Sequence, residues 1–215
     1  KYPEFSEVEA DEFVIGDLRD PHLVEKVIDQ KFDEIYQFAA DMGGAGYVFT
    51  GDNDAAIMHN SALINLNVLE TCRKTGNKRI FFSSSACAYN TTLQQKHDVP
   101  GLKERDAYPA DAERGYGWEK LIAEQKCQEM FIEKGMETHI ARFHNVYGPH
   151  GTWDGGREKA PAALARKVIA VQEGDEDFVL IWGDGKQRRS FMYIDDCTEG
   201  VFRLMHNLNT TATLR

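Results

Sequence analysis

The sequence predicts an α/β protein built on a doubly wound parallel sheet. Short, β-rich apolar runs alternate with longer helical patterns over the first two thirds of the chain. The runs are continuously apolar, the mark of strands buried on both faces with helices crossing over between them. Small and polar residues gather just past the run ends, where open parallel sheets bind their ligands.

The elements follow in order. EFVIGDL (12–18) reads as a strand, and Asp20-Pro21 suit the N-cap and first position of a helix. EIYQFAA (34–40) reads as a strand, and a long helix covers 54–75 and stops at Gly76. RIFFSSS (79–85) is a strand, 112–134 a helix stopping near Gly135, and ETHIARF (137–143) a strand. From 144 a loop rich in Gly, Pro and Trp leads to a helix over 160–173, a strand DFVLIWGD (177–184) and a last helix from near Asp195. The division expected is a sheet-and-helix core over 1–145 and a smaller region over 146–215, with no internal repeat between them.

Composition narrows the function. The 215 residues are 42% hydrophobic and 28% charged, as in a soluble globular protein with a sizeable core. A net charge of −10 argues against nucleic acid or an anionic membrane as the main partner. No apolar run approaches the ~20 residues that span a bilayer, and the first residues lack a signal-peptide pattern. Cys72, Cys87, Cys127 and Cys197 lie far apart, without metal-ligand spacing, so no metal and a cytoplasmic location with reduced thiols are expected. Cys72, Cys127 and Cys197 fall in helices and read as core filler.

The polar residues at strand ends carry the chemistry. Asp17 closes one strand, Ala39-Ala40-Asp41 with Met42-Gly43-Gly44 the next, Ser85 and Cys87 the third, His144 and Asn145 the fourth. YGWEK places Tyr116 and Lys120 four residues apart, on one helix face. An ammonium beside a phenol favours its anion, so Tyr116 is expected below the usual value of about 10. A lone Tyr-x-x-x-Lys is more often a solvated face. Following a strand that ends in Ser85, it becomes a set able to take a proton from a sugar hydroxyl.

Six segments in order, AADMGG (39–44), SSACAY (84–89), YGWEK (116–120), RFHNVYGPHGTW (142–153), GGREKAPAA (155–163) and WGDGKQRRSF (182–191), carry a family resemblance. The chain resembles the extended short-chain dehydrogenase/reductase enzymes that act on nucleotide sugars, and within them the GDP-mannose 3,5-epimerases. The resemblance implies a Rossmann-like fold, NAD as cofactor, and an isomerase converting GDP-mannose to GDP-L-galactose through a transient 4-keto sugar. Ser85, Tyr116 and Lys120 would serve oxidation at C4, and Cys87 with Lys159 would form the acid/base pair inverting C3 and C5. Cys87 suits that role if positive charge pulls its thiol toward neutrality. Asp17, Ala39, Ala40, Asn60 and Phe143, with Tyr116 and Lys120, would hold NAD. Gly43, Gly44, Ser85, Asn145, Glu158, Lys159, Lys167, Gln187 and Arg189 would hold the nucleotide sugar, the glycines by letting backbone approach the hexose. The helices over 54–75 and 112–134 would join two subunits into a homodimer.

The chain departs from the pattern in lacking the glycine-rich G-x-x-G-x-x-G turn, so it is expected to be the middle of a longer enzyme, without the first strand–helix unit or the C-terminal end. Two other readings stand beside this one. A related 4-epimerase or 4,6-dehydratase would leave the Cys87/Lys159 pair idle. A catalytically inactive NAD- or nucleotide-sugar-binding module would have no use for an intact Ser85, Tyr116 and Lys120.

Overall fold

The computed structural model describes residues 9–95, 101–186 and 188–207. In chain order the elements are α1 (Pro21–Val27), β1 (Ile35–Gln37), α2 (Ala45–Val48), α3 (Asp54–Thr75), β2 (Arg79–Ser85), α4 (Tyr116–Lys134), β3 (Glu137–Phe143), β4 (Asn145–Tyr147), α5 (Ala160–Glu173), β5 (Phe191–Tyr193) and α6 (Ile194–Asn207). β1, β2 and β3 form a parallel sheet in that order, with Ile35 opposite Ile80 and Ser85 opposite Phe143.

β2 explains why the sheet is wound on both faces. Its alternate residues point opposite ways. Ile80 and Phe82 pack with Val68, Leu69 and Cys72 of α3 and Cys127 of α4, while Phe81 packs with Val201 and Met205 of α6. Ile80, Phe81 and Phe82 are each fully buried, worth about 1.5–3 kcal/mol apiece. Both faces of its centre are covered, hence the apolar Ile80-Phe81-Phe82.

The helix ends match their residues. The Asp20 side chain accepts the His22 N–H with Pro21 in the first turn. Gly76 and Gly135 take left-handed conformations after α3 and α4, at φ 77° and 66°. α4 begins at Tyr116 rather than at 112, because Gly115, at φ 80°, lies outside the helical region.

Two expected strands are absent. Residues 12–18 form no strand, and Phe13, Val14 and Ile15 are exposed. Residues 177–184 are likewise irregular, with Phe178, Leu180 and Trp182 exposed. A strand exists through the ladder it shares with a neighbour, and among the described residues neither segment has one. The strand over 34–40 shortens to three residues, leaving Ala39 and Ala40 in the loop beyond it. Unforeseen are β4 and β5, a small parallel pair with Asn145 opposite Phe191, formed inside and just after the loop-like stretches. No helix among the described residues is long and apolar enough to cross a membrane.

Candidate active site

The end of β2 is the origin of the site. Ser85 Oγ accepts the Cys87 N–H at 3.2 Å and starts a 3-10 turn over Ala86–Ala88. The Cys87 carbonyl then accepts the Glu113 N–H at 3.0 Å. Gly117 presses on the same carbonyl so closely that an added Cβ would stand 2.2 Å from its oxygen. These contacts fasten the turn bearing Cys87 to the first turn of α4, which carries Tyr116.

Tyr116 is buried and shares a side-chain hydrogen bond with Ser85. One turn on, Lys120 is 1% exposed, its Nζ 5.6 Å from the Tyr116 ring centroid and donating to the Ser83 carbonyl at 2.9 Å. That carbonyl is the ammonium's one hydrogen-bond acceptor among the described residues. A buried ammonium with donors to spare fits a hydroxyl-rich group such as a ribose. Burial pushes Lys120 down from its ordinary value, opposed by the carboxylates of Glu119 and Glu124.

The expected lowering of the Tyr116 phenol is not what the environment produces. Burial raises it well above its ordinary value, the neighbouring Cys87 adds to this, and the bond to Ser85 opposes it. Desolvation of the anion outweighs the nearby ammonium. Cys87 behaves alike. Burial pushes its thiol up and Glu113 adds to the rise, against the Ser85 bond and the charge of Lys159. Lys159 is pushed down by burial and held up by Cys87. Cys87 and Lys159 thus lie within electrostatic reach, each opposing the shift that burial imposes on the other.

Lys159 precedes α5, and its Nζ donates to the Gly43 carbonyl at 3.3 Å. Gly44 N–H donates to the Arg157 carbonyl at 2.9 Å. A Cβ on Gly44 would stand 2.1 Å from the Glu158 carbonyl oxygen, so here the close approach that needs glycine is made by the 157–159 backbone. Glu158 pairs with Arg166 at 3.2 Å, its Oε2 buried without a partner. The loop after β1 and the loop before α5 therefore meet through Gly43, Gly44, Arg157, Glu158 and Lys159, and Lys159 comes within electrostatic reach of Cys87.

The remaining expected residues divide. Asp17 pairs with Arg19 at 2.5 Å, which lowers its pKa to about 2, and Arg19 donates to Asn60 at 2.7 Å. Ala39 and Ala40 are half-buried, the backbone of Ala39 bracketed by the Gln37 side chain. Phe143 turns its ring to Phe81, 6.0 Å between centroids, on the α6 side of the sheet. Asn145 donates to the Ser190 carbonyl, Lys167 to the Leu180 carbonyl and Arg189 to the Arg188 carbonyl, so their hydrogen bonds go elsewhere than the cluster around Cys87. Gln187 lies outside the described residues.

The structure adds Glu113, Asp41, Tyr47 and Arg157. The Glu113 carboxylate accepts the Gly117 N–H at 2.9 Å, and burial with the Asp54 charge lifts its pKa to about 7. Its only sequence signal was an acidic residue in the first turn of the helix expected over 112–134. Asp41 and Arg157 lie in quoted segments, but nothing in a linear reading joins residues 116 apart into an ion pair at 3.2 Å. Cys72 and Cys127 are deep in the core, where burial lifts both thiols to about 12. Among the described residues no group of three or more His, Cys, Asp or Glu could hold a metal.

The profile of the NAD dependent epimerase/dehydratase family matches residues 2–213. The GDP-mannose 3,5-epimerase of Arabidopsis thaliana is 46% identical over 195 residues, 91% of this chain and 50% of that protein. GDP-mannose 3,5-epimerase 1 of Oryza sativa subsp. indica is 46% identical over 193 residues, 90% of this chain and 49% of that one. The chain spans about half the length of the curated relatives it matches. In fold it is similar to the UDP-glucose 4-epimerase of Thermotoga maritima, with a TM-score of 0.71 at 23% identity over 89% of this chain and 58% of that one.

Proposed function

The chain belongs to the NAD dependent epimerase/dehydratase family, and we propose that the protein carrying it inverts C3 and C5 of GDP-mannose, giving GDP-L-galactose through a 4-keto sugar, with NAD as cofactor. The observation that carries the reading is Cys87 within electrostatic reach of Lys159, on the turn fastened to the Ser85–Tyr116–Lys120 set. The 46% identity to GDP-mannose 3,5-epimerases supports the choice of sugar.

In this reading residues 1–145 bind NAD and 146–215 the nucleotide sugar. Asp17, Ala39, Ala40, Asn60 and Phe143, with Tyr116 and Lys120, would hold the cofactor, and the spare donors of Lys120 suit its ribose. Bound NAD would supply the hydride acceptor, and in reduced form the donor, for C4 of the hexose. The chain's own residues handle the protons. Tyr116, beside Ser85, takes the C4 hydroxyl proton, and the positive charge of a bound nicotinamide would join the Lys120 ammonium in favouring the phenolate against the burial that raises it. Hydrogens flanking a C4 carbonyl are acidic, and an acid/base pair on opposite ring faces can invert both carbons. In that pair Cys87 abstracts and Lys159 returns the proton, each lending the other charge that opposes the shift burial imposes on it. Gly43, Gly44 and Glu158 border the hexose. Asn145, Gln187 and the cations Lys167 and Arg189 serve the nucleotide end, the cations as charge-assisted partners of a diphosphate.

The same reading places the protein in the cytoplasm, in keeping with four free cysteines. It also pairs two copies through α3 and α4, whose outer faces expose Met58, Leu66 and Ile122. The test incubates the full-length gene product with GDP-mannose in heavy water and follows the hexose by proton NMR. Deuterium at C3 and C5 with GDP-L-galactose appearing is expected. No exchange from protein shown to carry NAD overturns the proposal.

A further inference from the structure

Asp41 is the hub of a polar network that spans the site. Its Oδ1 accepts the Tyr47 hydroxyl at 3.0 Å and Arg157 at 3.2 Å, and its Oδ2 accepts Asn60 Nδ2 at 2.8 Å. Asn60 in turn accepts from Arg19, the partner of Asp17. Arg157 also donates to the Met42 carbonyl at 3.2 Å and lies 3.8 Å over the Tyr47 ring. Two residues further, Lys159 reaches the Gly43 carbonyl. The Asp41 side chain is 14% exposed, and its three donors hold its carboxyl below the ordinary value although burial acts against them.

We infer that Asp41 is a positioning residue, which through Arg157 sets the loop that carries the Lys159 amine toward Cys87. The inference rests on the proposed acid/base role of Lys159. Tyr116, Lys120 and Ser85 are held by β2 and α4 and take no hydrogen bond from this network. Loss of Asp41 therefore uncouples the two halves of the reaction, sparing C4 and disabling C3 and C5. The charged and titratable groups around Lys159 are Cys87 on the turn after β2, which interacts with it electrostatically, its chain neighbour Glu158 paired with Arg166, Arg157 on its own loop, and Asp41 and Tyr47, which hold Arg157 from the other side.

The test compares Asp41→Asn, Arg157→Met and the double variant of the full-length protein, each loaded with NAD. Asp41→Asn is expected to keep the transient nicotinamide absorbance on adding GDP-mannose within about threefold, while deuterium uptake at C3 and C5 falls about tenfold or more. Arg157→Met should reproduce that split, and it stands in if Asp41→Asn does not fold. The double variant should be no worse than either single one, because one path is being cut twice. A second readout needs no turnover: the pH at which an amine-acylating reagent labels Lys159, followed by peptide mass spectrometry, should rise in both single variants as the lysine is freed into water. Equal losses at C4 and at C3 and C5, additive effects, or an unchanged labelling profile overturn the inference. If the unaltered protein shows no exchange at C3 and C5, the proposed function fails, and the labelling profile alone then decides the role of Asp41.

Discussion

Gly44 and Glu158 meet backbone to backbone: a Cβ on the glycine would stand 2.1 Å from the Glu158 carbonyl oxygen. The neighbouring bond from Gly44 N–H to the Arg157 carbonyl, at 2.9 Å, holds the two loops at that spacing. Gly44→Ala must push the loops apart. A loss of about 1–3 kcal/mol in urea unfolding is expected, as for other overpacked sites, together with slower exchange at C3 and C5. Unchanged stability would show that the loops do not close in solution as they do here.

Tyr116→Phe removes the proton acceptor for C4 while keeping a ring among Val48 and Ile57. The transient nicotinamide absorbance should fall about 10²–10⁴-fold, the usual contribution of a general acid–base group. The unfolding midpoint should change by no more than one lost hydrogen bond, about 0.5–1.5 kcal/mol. Turnover at the original rate would remove Tyr116 from the mechanism.

Glu113 makes stability depend on pH in an unusual direction. Its folded pKa of about 7 lies above the ordinary carboxyl value, so the folded state holds the proton more tightly than the unfolded chain. The stabilisation is complete below the unfolded carboxyl range and is lost as pH rises through about 7. Glu113→Gln, which keeps an acceptor for the Gly117 N–H, should match the parent at pH values below that range and exceed it in stability above pH 7. It should also lower the pH at which iodoacetamide alkylates Cys87, because the Glu113 charge raises that thiol. Parallel unfolding curves at every pH would contradict both expectations.

Glu124 and Arg142 form a two-pronged ion pair under the sheet end, with contacts of 2.9 and 2.6 Å and side chains 0% and 7% exposed. Ser84 donates to the same carboxylate. Glu124→Gln leaves the guanidinium buried without its counter-charge, at a cost of about 3–5 kcal/mol in chemical denaturation. A change below 1 kcal/mol, the range of exposed pairs, would mean that water reaches Arg142.

How much could be read from the chain differs from residue to residue. β2 and β3 were legible to the residue because each is a short run that begins just past a helix-ending glycine and carries an apolar centre, Ile80–Phe82 and Ile140–Ala141. α3 and α4 announced their ends through Gly76 and Gly135. Residues 12–18 and 177–184 are as apolar as true strands and form none, because a ladder depends on a neighbour elsewhere in the chain. Tyr116 and Lys120 were legible as a pair because one helical turn joins them. Asp41 and Arg157 were not, since only folding brings residues 116 apart within hydrogen-bond reach.

By itself, the sequence determined the α/β class, the spans of β2 and β3, the burial of the central strand, and the residue types gathered at its carboxyl end. All of these follow from local spacing and from which side chains leave water. The tertiary structure alone decided which of those residues meet, that Gly44 yields its space to Glu158, and that Asp41 anchors the loop bearing Lys159. It also reversed the expected electrostatics of Tyr116 and Cys87. A charge partner can be guessed from spacing, but desolvation depends on everything packed around a group, and at this site it outweighs the partner.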